Sequence, residues 1–181
     1  MTAGASHTVR PATAEDLGAI TAIYGHHVMT GAATFELAPP SSEEMARRHA
    51  EITGGGYPFL VVTDDAQTVV GYAYASAYRS RPAYRFTVED SVYLAPGSAG
   101  RGLGSRLLAA IIDACTSRGD RQMIAVIGGA DNAASIALHA RAGFVEAGRL
   151  AAVGRKFDRW VDTVLMQRPL GEGATSPPPP R

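Results

Sequence analysis

The chain has 181 residues, of which 46% are apolar, enough to bury one substantial core. Its 17 basic and 17 acidic side chains cancel and lie scattered along the sequence, so no charged stripe marks it for nucleic acid or an anionic membrane. The N-terminus carries no basic segment followed by an apolar run, and no window reaches membrane-spanning length, so a cytoplasmic protein with no membrane partner is expected.

Residues 1–7 are small and polar and are expected to be a flexible N-terminus, followed by a short strand over 8–10 that Pro11 ends. Thr13, with Asp16 three residues on, makes a capping box in which Asp replaces Glu. It precedes Leu17, Ile20, Ile23, Tyr24 and Val28 at helical spacing. After Pro39 and Pro40, Ser41 and Glu44 repeat the capping pattern for a second helix reaching about Glu51, before Gly54, Gly55 and Gly56. Residues 59–63 and 68–75 are β-rich runs around Asp64 and Asp65, a hairpin pattern. A strand over 87–94 leads through a glycine-rich stretch to a helix over 103–118, whose apolar face includes Cys115, read as a core thiol. The continuous apolar run 123–127 suits a buried parallel strand. A short helix over 132–141 closed by Gly143 and strands over 144–150 and 161–167 complete the order. Hairpins followed by strand–helix–strand–helix predict an α/β protein with a three-layer mixed sheet, one domain over residues 8–170. The tail over 171–181, ending in Pro177 to Pro180, is expected to be extended, solvated and disordered.

The stretch from Pro96 to Ser105 joins a strand to a helix, and its glycines free successive backbone N–H groups to point at one oxyanion. No Lys-Ser or Lys-Thr pair follows as in a P-loop, and Leu107 stands where a dinucleotide turn starting at Gly102 needs its last glycine. On the glycines alone a ligand-free turn is an equal reading, and the surroundings decide. Gly102 and Gly104 at the head of a helix, a buried strand, and then Asn132, Ser135, Leu138, His139, Gly143 and Phe144 resemble the acetyl-CoA signature of the GNAT superfamily of N-acetyltransferases. That resemblance implies acetyl-CoA as cosubstrate, with Gly100, Arg101, Gly102, Leu103, Gly104 and Ser105 at the pyrophosphate. It also implies backbone groups of Val92, Tyr93 and Leu94 at the thioester, and Asn132 with Ser135 by the pantetheine arm. The sequence departs from the family in having Ala99 where Gln or Arg is usual, a loss that Arg101 is taken to offset.

Glu89 stands on the strand before that loop, near the implied thioester. A carboxylate there can take the proton that an ammonium must lose before its nitrogen can attack. The segment Arg81, Ala83, Tyr84, Arg85, Phe86, Thr87, Val88, Glu89, Ser91, Val92, Tyr93 is similar to that of phosphinothricin and methionine sulfoximine acetyltransferases. The likeness extends through Thr34, Phe35, Glu36, Tyr57, Pro58, residues 125–128, and Val153, Gly154, Lys156, Phe157, Arg159, Trp160 and Asp162. It implies Glu89 as general base, His139 in the place of the residue that protonates the departing thiolate, and a homodimer whose interface lies near a late loop over 156–160. Asp90, as a strand neighbour, should face the other way and take no part. His26 and His27 read as surface or packing residues, and no metal is expected.

A small amine substrate with an amino-acid end brings a carboxylate, which a guanidinium matches with two parallel hydrogen bonds. Arg79 and Arg81, flanking Ser80 in the loop before Glu89, are the candidates, with Tyr84 and Phe35 as pocket walls. Two other functions compete: transfer to a protein N-terminus or lysine, and a non-catalytic CoA-binding module. The segment from Arg79 to Glu89 weighs against the first, and Glu89 beside the glycine-rich cofactor loop against the second.

Overall fold

A computed structural model of the chain describes residues 6–178. Residues 1–5 of the expected flexible N-terminus and residues 179–181 of the tail lie outside the described residues. The elements follow one another as β1 (Thr8–Pro11), α1 (Leu17–Thr30), α2 (Ser42–Gly54), β2 (Phe59–Thr63), β3 (Val69–Ala77) and β4 (Thr87–Leu94). Then come α3 (Leu103–Ser117), β5 (Gln122–Gly128), α4 (Ala133–Arg141), β6 (Val145–Lys156) and β7 (Arg159–Pro169).

Local chemistry fixes the boundaries. The capping box forms, with Thr13 N donating to Asp16 Oδ2 at 2.7 Å, but on a 3-10 turn (Ala14–Asp16) that leads into α1. Ser41 caps α2 by accepting from Glu44 N. That helix outruns the expected end near Glu51, because only Gly56 of the three glycines takes a left-handed φ, at 73°. Pro11 falls inside β1, where it is tolerated because β1 is an edge strand.

The strands form one sheet in the order β1-β2-β3-β4-β5-β7-β6, antiparallel throughout except for β4 and β5. On one face α3 buries Leu107, Leu108 and Ile111 against Val88, Met123 and Ala125. Each of those three α3 side chains is fully buried and contributes on the order of 1.5–3 kcal/mol. On the other face α1 and α2 bury Ile20, Tyr24, Val28 and Met45 against Phe59, Val61 and Tyr72. The result is the expected three-layer mixed α/β fold, with Cys115 in the α3 core.

The C-terminal hairpin differs from its expected form. β6 runs to Lys156 across an irregularity between Leu150 and Gly154, where Ala152 takes a φ of 53°. The anticipated late loop is a two-residue turn, with Phe157 and Asp158 both left-handed, the geometry that matches strand twist in a hairpin. Past Leu170 the chain continues in hydrogen-bonded turns, Gly173 N to Leu170 O and Thr175 N to Glu172 O. Arg121 donates to Ser176 Oγ and Pro177 O.

The parallel pairing of β4 and β5 positions the site. It runs from Thr87 opposite Gln122 to Asp90 opposite Ala125 and stops there, although β4 continues to Leu94 and β5 to Gly128. The sheet therefore opens between two of its central strands.

Candidate active site

A cavity of about 630 Å³ fills this gap, and its walls come from the diverging strands, the glycine-rich turn and α4. Val92, Tyr93 and Leu94 line it from β4, and the ends of their peptide groups facing β5 have no strand partner there. Gly100, Gly102, Leu103, Gly104 and Ser105 line its far end. Gly97, Gly100 and Gly102 all hold φ near +75°, at 77°, 77° and 74°. Gly102 is the N-cap of α3, and the first amide to bond back to it is Arg106 N. The N–H groups of Leu103, Gly104 and Ser105 are thus free for an anion at the positive end of the helix dipole. Gly104 faces Leu138 of α4, at the distance of an ordinary van der Waals contact from where a Cβ would stand. Asn132 caps α4, its Oδ1 accepting from Ser135 N at 3.2 Å, and both residues face the cavity.

One expectation changes on this wall. Arg101 turns away to contact His7 Nε2 at 3.1 Å and leaves the lining to Ala99, so it does not restore a cationic side chain in the cavity. His27 packs inward: its Nε2 lies 2.8 Å from Leu94 O, its ring rests on Tyr93, and it also lines the cavity. A carbonyl only accepts, so this nitrogen carries hydrogen. The spacing of Ile20, Ile23, Tyr24, His27 and Val28 already placed it on the inward stripe of α1.

Residues 89 and 90 point to opposite faces, as strand alternation requires, but not with the consequence expected for Asp90. Glu89 shares the α1/α2 face with Ser91 and Tyr93 and is half-buried. Burial raises its carboxyl above the usual range, Arg79 opposes this, and Asp90 adds to it. Asp90 is 6% exposed on the α3/α4 face, lines the cavity, and sets Oδ2 3.0 Å from Nε2 of His139. His139 is 4% exposed, with Nδ1 2.8 Å from Ser135 O and its ring edge-on to Phe144. Burial lowers the pKa of this imidazole, but the hydrogen bond and charge of Asp90, with the Ser135 carbonyl, outweigh it and the net shift is upward.

The expected substrate residues lie outside the cavity lining, and of them Arg79 acts electrostatically on Glu89. Arg79 lies over the ring of Tyr78 at 4.3 Å, Tyr84 meets the same ring edge-on, and both are exposed. Ser80 and Arg81 are exposed beside them. Phe35 is wedged between two glycines: a Cβ on Gly128 would come within 2.9 Å of its Cε1, and one on Gly154 within 2.6 Å of its Cδ2. Its loop is fastened through Thr34, whose carbonyl accepts from Lys156 Nζ at 2.8 Å and whose hydroxyl bonds Tyr24. Glu36 accepts from Tyr24 and Arg48. Burial lowers the Lys156 pKa and pushes the Tyr24 phenol up to about 12.

A sheet opened between parallel central strands, with free amides at the following helix, is the seat of an acyl-CoA-using transferase, and the sequence pattern of the Acetyltransferase (GNAT) family matches residues 27–144. The chain belongs to this family and is an acetyl-CoA-dependent N-acetyltransferase. It is 54% identical over 171 residues to a phosphinothricin N-acetyltransferase of Alcaligenes faecalis, covering 94% of this chain and 86% of that one. It is 39% identical over 175 residues to an L-methionine sulfoximine/L-methionine sulfone acetyltransferase of Pseudomonas aeruginosa, covering 95% and 99%. The crystal structure of a GNAT superfamily phosphinothricin acetyltransferase from Sinorhizobium meliloti in complex with acetyl-CoA superposes with a TM-score of 0.94 at 54% identity, covering 96% and 93%.

Proposed function

We propose that the chain acetylates the primary amine of a small amino-acid analogue of the phosphinothricin, methionine sulfoximine or methionine sulfone type. The observation that carries the reading is the half-buried Glu89 on one face of the opened sheet, backed by a cavity of cofactor-binding form on the other. Relatives acting on these amines match almost the whole chain.

In this reading Arg79, Arg81, Ser80 and Tyr84 receive the carboxylate end of the amine, while Phe35 forms the wall against which its side chain lies. Glu89 takes a proton from the ammonium, directly or through one water, and the freed nitrogen attacks the thioester carbonyl. A carboxylate with a raised pKa is the stronger base for this step. The amides of the first turn of α3 hold the pyrophosphate, and the unpaired edge of β4 orients the thioester end in the gap. As the carbon–sulfur bond breaks the sulfur keeps the electron pair, and His139 supplies its proton.

The protein is read as a cytoplasmic homodimer. Support for the second copy comes from the β6–β7 hairpin, an outer edge of the sheet that exposes Val145, Val153, Phe157 and Trp160, the last 67% exposed. Light scattering at micromolar concentration tests it, and a monomeric mass rejects it. The substrate is tested by CoA release with phosphinothricin, L-methionine sulfoximine, methionine sulfone and peptides of matched N-termini. The free amino-acid analogues should give the higher kcat/KM; preference for the peptides would move the acceptor to a protein.

A further inference from the structure

The pair formed by Asp90 and His139 is built more closely than a packing role requires. Ser135 O is a carbonyl and can only accept, so His139 Nδ1 carries a hydrogen. The other nitrogen, Nε2, faces Asp90 Oδ2. If Asp90 is ionised the ring is doubly protonated, and if the ring is neutral the carboxyl holds the hydrogen. In either case one proton lies between these two atoms. The edge-on contact with Phe144 fixes the ring plane, and Asp90 Oδ1 is a buried oxygen without a partner among the described residues. The pair lies at the last residue pair of the parallel ladder, where the strands part, and both members line the cavity.

Most other side chains on this face are apolar, while His27 of α1 and Asn132 at the start of α4 share the cavity lining. β5 presents Met123, Ala125 and Ile127 to this face, and α3 presents Leu103 and Leu107. α4 itself contributes Ser135, with the exposed Arg141, two residues past His139, also in the cavity lining. Glu89, on the opposite side of the sheet, interacts electrostatically with Asp90 and with Arg79. The two adjacent carboxylates of β4 therefore serve different faces.

We propose that Asp90 is a positioning residue for the leaving group: it holds His139 with a proton on Nε2 at the opening of the sheet, so that this proton passes to the departing sulfur on one face while Glu89 removes the amine proton on the other. The inference rests on the acetyl-transfer reading above. Its balance closes with two protons leaving nitrogen: the first passes from the ammonium through Glu89 to water, the neutral nitrogen bonds the carbonyl carbon, the second passes from the adduct's nitrogen to Glu89 as the carbon–sulfur pair goes to sulfur, and His139 gives sulfur its proton. Glu89 then holds the proton taken from the amine, and exchange with water resets both groups. Asp90 enters by keeping the proton in place and by stabilising the imidazolium before it is spent.

The test is kcat and KM against pH for wild type, Asp90→Asn, His139→Gln and the double variant, with ¹⁵N spectra of the imidazole nitrogens. Asp90→Asn should lower kcat by about 10² near neutrality, within the usual range for acid–base assistance, while KM for acetyl-CoA stays unchanged. Its alkaline limb should move to lower pH, because the imidazolium has lost its counter-charge, and the His139 nitrogens should report that loss of protonation at neutral pH. The double variant should be no slower than the slower single one, as for residues acting as a unit. If Asp90→Asn fails to fold, His139→Gln must show the same kcat loss with unchanged acetyl-CoA KM. A kcat within a few fold of wild type, or a loss uniform across pH with unchanged imidazole spectra, overturns the proposal. A wild type that transfers acetyl to no amine overturns the functional reading and this inference with it, whereas active wild type beside an unaffected Asp90→Asn overturns this inference alone.

Discussion

Replacing Glu89 by Gln keeps the shape and hydrogen-bonding capacity of the side chain and removes its basic lone pair. General-base assistance is worth about 10²–10⁴ in rate, or roughly 3–5 kcal/mol of transition-state stabilisation. The variant should lose that factor in kcat at neutral pH while binding acetyl-CoA normally, because Glu89 lies outside the cavity lining. Burial gives the prediction a second edge. The folded-state pKa of Glu89 stands above its ordinary 4.5, so the charge is disfavoured by folding, and ionisation above that pH subtracts stability from the wild type. Glu89→Gln should therefore melt at the same temperature as wild type or higher at pH 7, with the difference vanishing in acid. The wild-type rate should fall as pH drops through the raised pKa, and Arg79→Ala should shift that limb upward, since Arg79 holds the pKa down. The kcat deficit of Glu89→Gln should shrink at high pH, where more substrate amine arrives deprotonated. A kcat within a few fold of wild type, or a deficit independent of pH, refutes the assignment.

Among the loop arginines, Arg79→Ala or Arg81→Ala should raise the amine KM and leave acetyl-CoA affinity alone; equal reactivity of carboxyl-blocked substrates with wild type would remove the carboxylate from recognition. Gly154→Ala places a methyl group against the Phe35 ring and must displace it. A shift of about 1 Å in a pocket wall costs up to about 10²-fold in kcat/KM, and unchanged kinetics would show that the wall does not touch substrate. Asp16→Asn tests the fold: Arg10 first, and then the Thr13 amide and hydroxyl, hold the Asp16 carboxyl down at about 2. Its contribution, roughly 1–2 kcal/mol after solvent screening at the part-exposed Arg10, is present above the unfolded pKa and lost as pH falls from 4 towards 2. Urea unfolding at pH 7 and pH 2 should show the variant weaker only at the higher value.

Much of the site was written in local pattern. The strands carrying Phe59 to Thr63 and Thr87 to Leu94 lie where β-rich composition put them, and the glycine turn opens α3 at Leu103. The hairpin turn at Phe157 and Asp158 escaped because neither residue advertises a left-handed φ, and β6 outran its expected end because its exposed residues give no alternation to follow. The pairing of Asp90 with His139 spans 49 positions, and nothing local reports it. Alternation correctly separated the two carboxylates, but it could not say that the second of them would line the cavity. That depends on where β5 leaves its partner, a property of the whole sheet.

The seat of acetyl-CoA is tested most directly by calorimetric titration of wild type and Gly102→Glu with acetyl-CoA. Gly102 is the N-cap of α3, with φ at 74° and nothing within 4 Å of the point where a Cβ would stand, so a side chain there has room but a strained backbone. The strain costs about 1–2 kcal/mol, a melting shift of a few degrees for a chain of this size, while the new carboxylate stands beside the free amides proposed to hold the pyrophosphate. Wild type should bind acetyl-CoA and the folded Gly102→Glu variant should not; a folded variant with wild-type affinity would contradict the assignment of the cavity.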